Sequence, residues 1–537
     1  MFEAYFFDKH ADTTYRLFKL LKSLNGAPFT INKLSKQLGL SYQQTYNAYQ
    51  DIMADLRHMQ ANLEEHHTFT GEDCVMNSMV KRSTDAVENA EPENEMSFNE
   101  VAEGIHVDNY RFHLLQNSLT FCFFDRVFKN DGINVTEFCR ECGISMSTLR
   151  RRVEPFRDFL QNNRIQIDPG TWEIHGGELV IRQLLTSFYN EGYRGAGWPF
   201  TNVDRDQVKK VFNIINDASD NALGIDHLSV ATKRNIITIG VQLMRMQQGH
   251  FFTVNPRLQL LLRNFGELDN LVFTQEYFPD YPESTLHAER NYYYCARIGQ
   301  TIMSTQDTRA SAQLREYLSS FNNPVDRFVT GLFDALTADL ENPEALHLRA
   351  DKVLMTNMYK VVFLYYVMDG NFVKPSDFAD TSELLESGAP LLKKITDYIE
   401  GLPKTDECHL FHRYLPAIAQ SLFTVFIPEL ADFYTTPTLN VKLEMEAQSF
   451  ITRDMLNYLR DSSTIRIMNS DTQEVPDLII TSVPNVTGMY DVLNGRPSVD
   501  SGVPTFYWGT DNHDADLYNL FKQLTIKAEE KRKAKKK

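Results

Sequence analysis

The sequence predicts a mainly α-helical, multidomain protein. Two helix-turn-helix units stand at the N-terminus, the second of them winged. Two helical bundles and a small C-terminal α/β domain follow. Three observations carry this. A helix-turn-helix pattern occurs twice, at a constant offset of 104 residues. From about 177 to 425 the apolar residues recur at helical spacing and no strand alternation competes. Near 436 short apolar runs begin to alternate with amphipathic segments. At about 100–200 residues per domain, a chain of 537 residues holds three to five domains.

The repeat sets FTINKLSKQLGLSYQQTYNAYQDIMADL (29–56) against INVTEFCRECGISMSTLRRRVEPFRDFL (133–160). Ile31, Leu34, Leu38 and Leu40 meet Val135, Phe138, Cys142 and Ile144. Tyr49, Ile52 and Leu56 meet Val153, Phe156 and Leu160, while Gly39 meets Gly143 and Ser41 meets Ser145. The skeleton has a physical meaning. A short helix ends at a glycine, which takes positive φ at little cost. One apolar residue plugs the turn, and a serine then caps a second helix. Ser41-x-x-Gln44 is a capping box, in which each side chain satisfies an orphan backbone donor of the other. Helical lead-ins precede both copies, at 13–24 and 118–129.

After the second copy, Ile165 and Ile167 alternate, Asp168-Pro169-Gly170 turns, and Trp172 and Ile174 alternate back. That is a β-hairpin where a wing would follow a recognition helix. Between the copies, residues 61–108 hold 12 acidic and 2 basic residues, which reads as a solvated linker or wing region. The expected division is therefore 1–60 for the first unit, 61–108 for the acidic region and 109–176 for the second, winged unit. The bundles take 177–290 and 291–415. In 416–526, LNVKLEME, VPDLIITSV and TFYWGT read as strands, with ITRDMLNYLRD and DADLYNLFKQLTIK as helices. The basic tail 527–537 reads as disordered.

Charge narrows the function. The chain carries 54 Lys+Arg against 71 Asp+Glu, a net −17, so as a whole it repels nucleic acid and anionic membranes. Any nucleic-acid contact must be local, and the two helix-turn-helix units are less acidic than the chain as a whole. On the second helix of copy two, Leu149, Val153, Phe156 and Leu160 form the buried stripe at 100° per residue. Arg151 and Ser147 then face outward, near the helix N-terminus that reads base edges in a major groove. Arg150 and Arg152 flank them, Arg152 as a phosphate or structural contact. The alternative for these arginines is pairing with Glu154 and Asp158. Copy one exposes Gln43, Gln44 and Asn47, and amides read adenine.

Other chemistry is thin. Cys139-x-x-Cys142 is half a zinc site without a partner pair, and Cys142 stands at the core position of Leu38, so packing is the expected role. His409-x-x-His412 has no acidic helper nearby. No nucleophile elbow, Walker loop or H-E-x-x-H motif occurs, so neither catalysis nor a cofactor is expected. The apolar run VVFLYYVM (361–368) is too short to span a bilayer, no signal pattern opens the chain, and a cytoplasmic protein without membrane partners is the simplest reading.

The layout resembles the Mga/AtxA family of Gram-positive transcriptional regulators. The carrying residues are CGISMSTLRRRVEPFRDFL, the stretch IHGGELVIRQLLTSFYNEGYRGAGWPF (174–200), and the earlier helix-turn-helix. The resemblance implies that the bundles are phosphotransferase-system regulation domains, whose histidines accept phosphate from the phosphocarrier proteins; His227, His347 and His250 are the candidates. It implies an enzyme IIB-like C-terminal domain. Enzymes IIB carry a phosphorylated cysteine after the first strand, but VKLEMEAQSFITRD has none, which leaves dimerisation as the role. The expected protein is thus a dimeric regulator, an activator, that binds promoter DNA. An antiterminator-like RNA-binding regulator and a non-catalytic helical scaffold are the alternatives; antiterminators begin with a β-rich RNA-binding domain, unlike this helical start.

Overall fold

The computed structural model describes residues 2–24, 26, 28–64, 98–218, 230–263, 273–298, 307–338, 351–368, 371–378, 385, 388–434, 439–444, 453–462, 465–468, 474–481, 503–508 and 514–535. The chain divides into two compact units, one of Met1–Ser382 with Ile395–Leu422, the other of Glu383–Lys394 with Phe423–Lys537.

In the first unit, α1 (Glu3–Phe6) precedes the first helix-turn-helix, built of α2 (Lys9–Ser23), α3 (Ile31–Leu38) and α4 (Tyr42–Glu64). Each start has a cap. Asp8 accepts from the backbone N–H groups of His10 and Ala11, and Thr30 from that of Lys33. Ser41 and Gln44 form the reciprocal pair the sequence implies: Gln44 N–H donates to Ser41 Oγ at 3.2 Å, and Ser41 N–H to Gln44 Oε1 at 3.1 Å. Gly39 sits at φ +67°, the left-handed region glycine enters without a Cβ penalty. The core of this unit gathers Leu17, Phe18, Leu34, Ile52 and Leu56. It also takes Phe98, Val101 and Ile105, from and beyond α5 (Phe98–Val101), and Tyr110 from α6 (Val107–Gln116). Most of the acidic region expected as a linker lies outside the described residues.

The second helix-turn-helix comprises α7 (Leu119–Asn130), α8 (Val135–Glu141) and α9 (Met146–Asn162). The offset of 104 holds to the residue at the starts of both later helices. Asn134 caps α8 where Thr30 caps α3, Ser145 caps α9, and Gly143 takes φ +64°. Leu149, Val153, Phe156 and Leu160 are each 0% exposed, as the helical spacing requires. The hairpin forms too, with β1 (Gln166–Ile167) antiparallel to β2 (Ile174–His175). Its turn is held by Asp168, whose Oδ1 accepts from the N–H groups of Gly170 and Thr171. Trp172 folds inward against Phe123, ring centroids 4.9 Å apart.

One packing feature is not visible in the repeat. The opening residues plug the core of the second helix-turn-helix. Phe2 and Phe6 are 1% and 3% exposed, and Phe6 meets Phe121, Phe156 and Phe188 at centroid distances of 5.6, 4.8 and 5.8 Å. Glu3 beside them pairs with the fully buried Arg111 of α6. Burying aromatic rings of this size is among the largest single contributions to a core.

Beyond the wing come α10 (Glu178–Tyr193), α11 (Arg205–Ala218), α12 (Val230–Gln247), α13 (Pro256–Leu262), α14 (Glu283–Ile298), α15 (Arg309–Ser319) and α16 (Pro324–Thr337). The apolar run 361–368 is buried throughout within the helix Lys352–Met368. A polar spine crosses the first bundle. Arg182 bonds Glu289 at 2.6 and 2.9 Å and Glu178 at 2.8 Å, and Arg245 bonds Glu178 at 3.0 and 2.9 Å. Charges taken out of water this completely persist only when paired.

The second unit contains a four-stranded parallel sheet in the order β4-β3-β5-β6, formed by β3 (Leu439–Glu444), β4 (Ile465–Ile467), β5 (Leu478–Thr481) and β6 (Thr505–Tyr507). Helices Arg453–Asp461 and Asp514–Lys535 accompany it. Strands β3, β5 and β6 stand where the sequence places them, and β4 was not foreseen. The tail departs from expectation: helix Asp514–Lys535 continues through most of 527–537 instead of ending before it. Lys531 anchors that extension by bonding Asp477 at 2.5 Å.

Candidate nucleic-acid interface

Helix α9 turns its buried stripe inward, which leaves Ser147, Arg150, Arg151 and Arg152 exposed. Their pairing differs. Arg152 reaches Asp8 at 3.4 Å, across the two helix-turn-helix units, with both side chains about half exposed. Arg157 pairs with Glu154 at 2.8 Å. Among the described residues, neither Arg150 nor Arg151 makes an ion pair. Of the expected pairing with Glu154 and Asp158, the described residues show Arg157 with Glu154 alone; Arg152 turns instead to Asp8, and Arg150 and Arg151 pair with neither. Ser147 lies beside Arg151 on the outward side, its Oγ 2.9 Å from the capping Ser145 Oγ. Two unpaired guanidinium groups at the N-terminal half of one helix suit phosphate or guanine, which arginine binds bidentately.

Helix α4 offers another surface. Gln43 Nε2 donates to Asn47 Oδ1 at 2.8 Å. Gln44 Oε1 accepts from both the N–H and the hydroxyl of Ser41, so this oxygen serves the cap rather than the surface. Tyr42 and Tyr46 are 52% and 40% exposed and stack, with centroids 6.3 Å apart and planes 7° from parallel. Their i, i+4 spacing was the available signal for them. Lys33 and Lys36, exposed on α3, make no ion pair among the described residues.

Of the candidate regulatory histidines, His227 and His347 lie outside the described residues. His250 follows α12 and approaches the second helix-turn-helix. Its Nε2 stands 2.6 Å from Asp131 Oδ2. Asp131 caps the C-terminus of α7 with φ +53° and also bonds Arg245 at 3.3 Å. Gln248 Nε2 donates to the carbonyls of Phe128 and Lys129, both at 3.0 Å, satisfying acceptors that a helix end leaves free. The end of α12 thus clasps the end of α7.

Cys139 is buried, and burial pushes both thiols of the pair up, Cys142 to about 11, away from the reactive thiolate range. His412 Nε2 bonds the carbonyl of Leu402 at 3.1 Å. Among the described residues no group of three or more His, Cys, Asp or Glu side chains is arranged to hold a metal, and no helix is long and apolar enough to cross a membrane.

Comparison with known proteins agrees with this geometry. Residues 103–189, from the approach to α6 through the wing and into α10, match the family model of the Mga helix-turn-helix domain. A protein of Streptococcus pneumoniae serotype 4, described as "Putative trans-acting regulator", is 22% identical over 145 residues. That match covers 27% of this chain and 28% of the relative's length.

Proposed function

We propose that this chain, a Mga-like DNA-binding transcriptional regulator, activates transcription by docking α9 into a major groove of promoter DNA. The observation that carries the reading is Arg151, exposed and unpaired beside Ser147, on the second helix of a winged helix-turn-helix within the matched residues. The acidic balance of the chain disfavours DNA elsewhere and leaves binding to local surfaces such as this one. Arg150 adds a phosphate contact, and Arg152 holds the two units together through Asp8. The first unit binds alongside.

The bundles act as phosphotransferase-system regulation domains in this reading, with phosphate on His227, His250 or His347. A phosphoryl group adds up to two negative charges. On His250 these face the Asp131 carboxylate, 2.6 Å from the ring nitrogen, and the like charges open the clasp on α7. The parallel sheet supports an enzyme IIB-like role in dimerisation.

Genome-wide mapping of bound DNA, with expression profiling of a deletion strain, tests the main reading. Bound promoters whose transcription falls in the deletion support an activator; absence of discrete bound sites contradicts DNA-directed function. Incubation with the general phosphotransferase proteins and radiolabelled phosphoenolpyruvate tests the regulatory part. Label on none of the three histidines rules it out.

A further inference from the structure

We infer that the first helix-turn-helix reads an adenine–thymine base pair, through the coupled amides of Gln43 and Asn47 with the Tyr46 ring beside them. The inference rests on the DNA-binding reading above and names what this second surface recognises.

The placement follows from the core. Thr45, Ile52 and Leu56 are each 0% exposed and mark the buried side of α4. At 100° per residue Gln43 and Asn47 then face directly away from it. The offset of 104 sets these two residues on the positions of Ser147 and Arg151, so the copies present their outermost side chains at equivalent places.

The chemistry follows from the bond between the amides. Gln43 Nε2 and Asn47 Oδ1 satisfy each other at 2.8 Å. That bond leaves Gln43 Oε1 free to accept, and Asn47 Nδ2 with the second Gln43 Nε2 N–H free to donate. Turning both amides over again leaves one free acceptor oxygen beside free amide N–H groups. In the major groove adenine offers an acceptor at N7 and a donor at N6, whereas guanine offers two acceptors, N7 and O6. The coupled pair complements adenine and leaves its own acceptor facing an acceptor on guanine.

Two further features fit. Tyr42 and Tyr46 are the large apolar side chains exposed on this helix, and their stacked rings flank the amides. An apolar surface beside an adenine-reading pair suits the 5-methyl group of thymine. No cation stands on α4 before Arg57, so nothing competes for guanine, while Lys33 and Lys36 on α3 supply charge for phosphate.

Selection from a duplex DNA library with a randomised centre tests this on the full-length chain. Wild type, Asn47→Ala, Asn47→Arg, Tyr46→Ala and Arg151→Ala are compared by sequencing the bound pools. The expected wild-type site contains an A·T position that Arg151→Ala retains, whose preference falls roughly tenfold in Asn47→Ala. Tyr46→Ala weakens the thymine preference there. Asn47→Arg, which copies the second unit's residue into the first, shifts that position to G·C. An unfolded variant cannot imitate a gained preference. If wild type selects a site and both Asn47 variants select the same site unchanged, the inference is overturned while the DNA-binding reading stands. If wild type selects nothing, the DNA-binding reading falls and this inference with it.

Discussion

The two helix-turn-helix copies share a scaffold and differ in what they display. Caps, glycine turn and apolar skeleton coincide at an offset of 104, down to the left-handed φ of +67° at Gly39 and +64° at Gly143. The outward positions diverge. Copy two places Arg150, Arg151 and Arg152 near the start of its second helix, while copy one places amides and a tyrosine stack there and carries the exposed Lys33 and Lys36 on α3. Copy two continues into a hairpin wing, and copy one runs its helix on to Glu64. The positions kept in both are those whose chemistry folding requires, and the positions free to differ are those that face outward.

Substitution tests this division, beginning with the core. Phe156 is 0% exposed and lies 4.8 Å from both Phe6 and Phe124. Phe156→Ala is expected to cost about 3–5 kcal/mol, and Ile52→Ala in copy one about 2–5 kcal/mol, read from denaturant midpoints. A small loss at either site would mean that the copies do not depend on a shared apolar skeleton. The glycines give a finer comparison. A Cβ at Gly39 or Gly143 meets nothing within 4 Å, so only the backbone conformation penalises alanine. Each change is expected to cost about 1–2 kcal/mol, equally in the two copies. Unequal losses would show that the turns are not equivalent.

Arg152→Ala removes a half-exposed pair with Asp8 and is expected to change stability by less than about 1 kcal/mol. A larger thermal shift would make this contact a structural joint between the copies. The last prediction concerns the hairpin wing that follows copy two. Backbone N–H groups of Thr171 and then Gly170 hold the Asp168 carboxyl below its usual range. A pKa lowered on folding stabilises the turn above the unfolded value, about 3.9, and that contribution is lost as pH falls through the lowered folded value. The amide resonances of Gly170 and Thr171 should therefore titrate together in acid, below the pH at which a free aspartate protonates. Independent or higher midpoints would remove Asp168 from the turn.

Much of this was legible in the sequence because it is local. Helix starts at Tyr42 and Met146, the capping box at Ser41 and Gln44, and the buried stripe of α9 follow from spacing alone. What was not legible depends on distant partners. The plug of Phe2 and Phe6 lies more than a hundred residues from Phe121 and Phe156. The pairing of Arg152 with Asp8 and the clasp of Gln248 and His250 on α7 arise from tertiary packing that no periodicity encodes. Strand β4 was missed because a three-residue run, IRI, is too short to show alternation. The helical extension to Lys535 was missed because a lysine-rich segment reads as solvated, whereas Lys531 finds Asp477.

The most direct test of the account is a fluorescence anisotropy titration of wild type and Arg151→Ala against a duplex carrying the selected site, over a series of salt concentrations. Arg151 faces away from the core, so the variant should keep the wild-type unfolding midpoint. Its affinity should fall by about 1–3 kcal/mol, roughly tenfold or more in Kd, with a shallower salt dependence if the lost contact is to phosphate. An unchanged Kd at every salt concentration, in a variant that remains folded, would contradict the assignment of α9 as the helix that meets DNA.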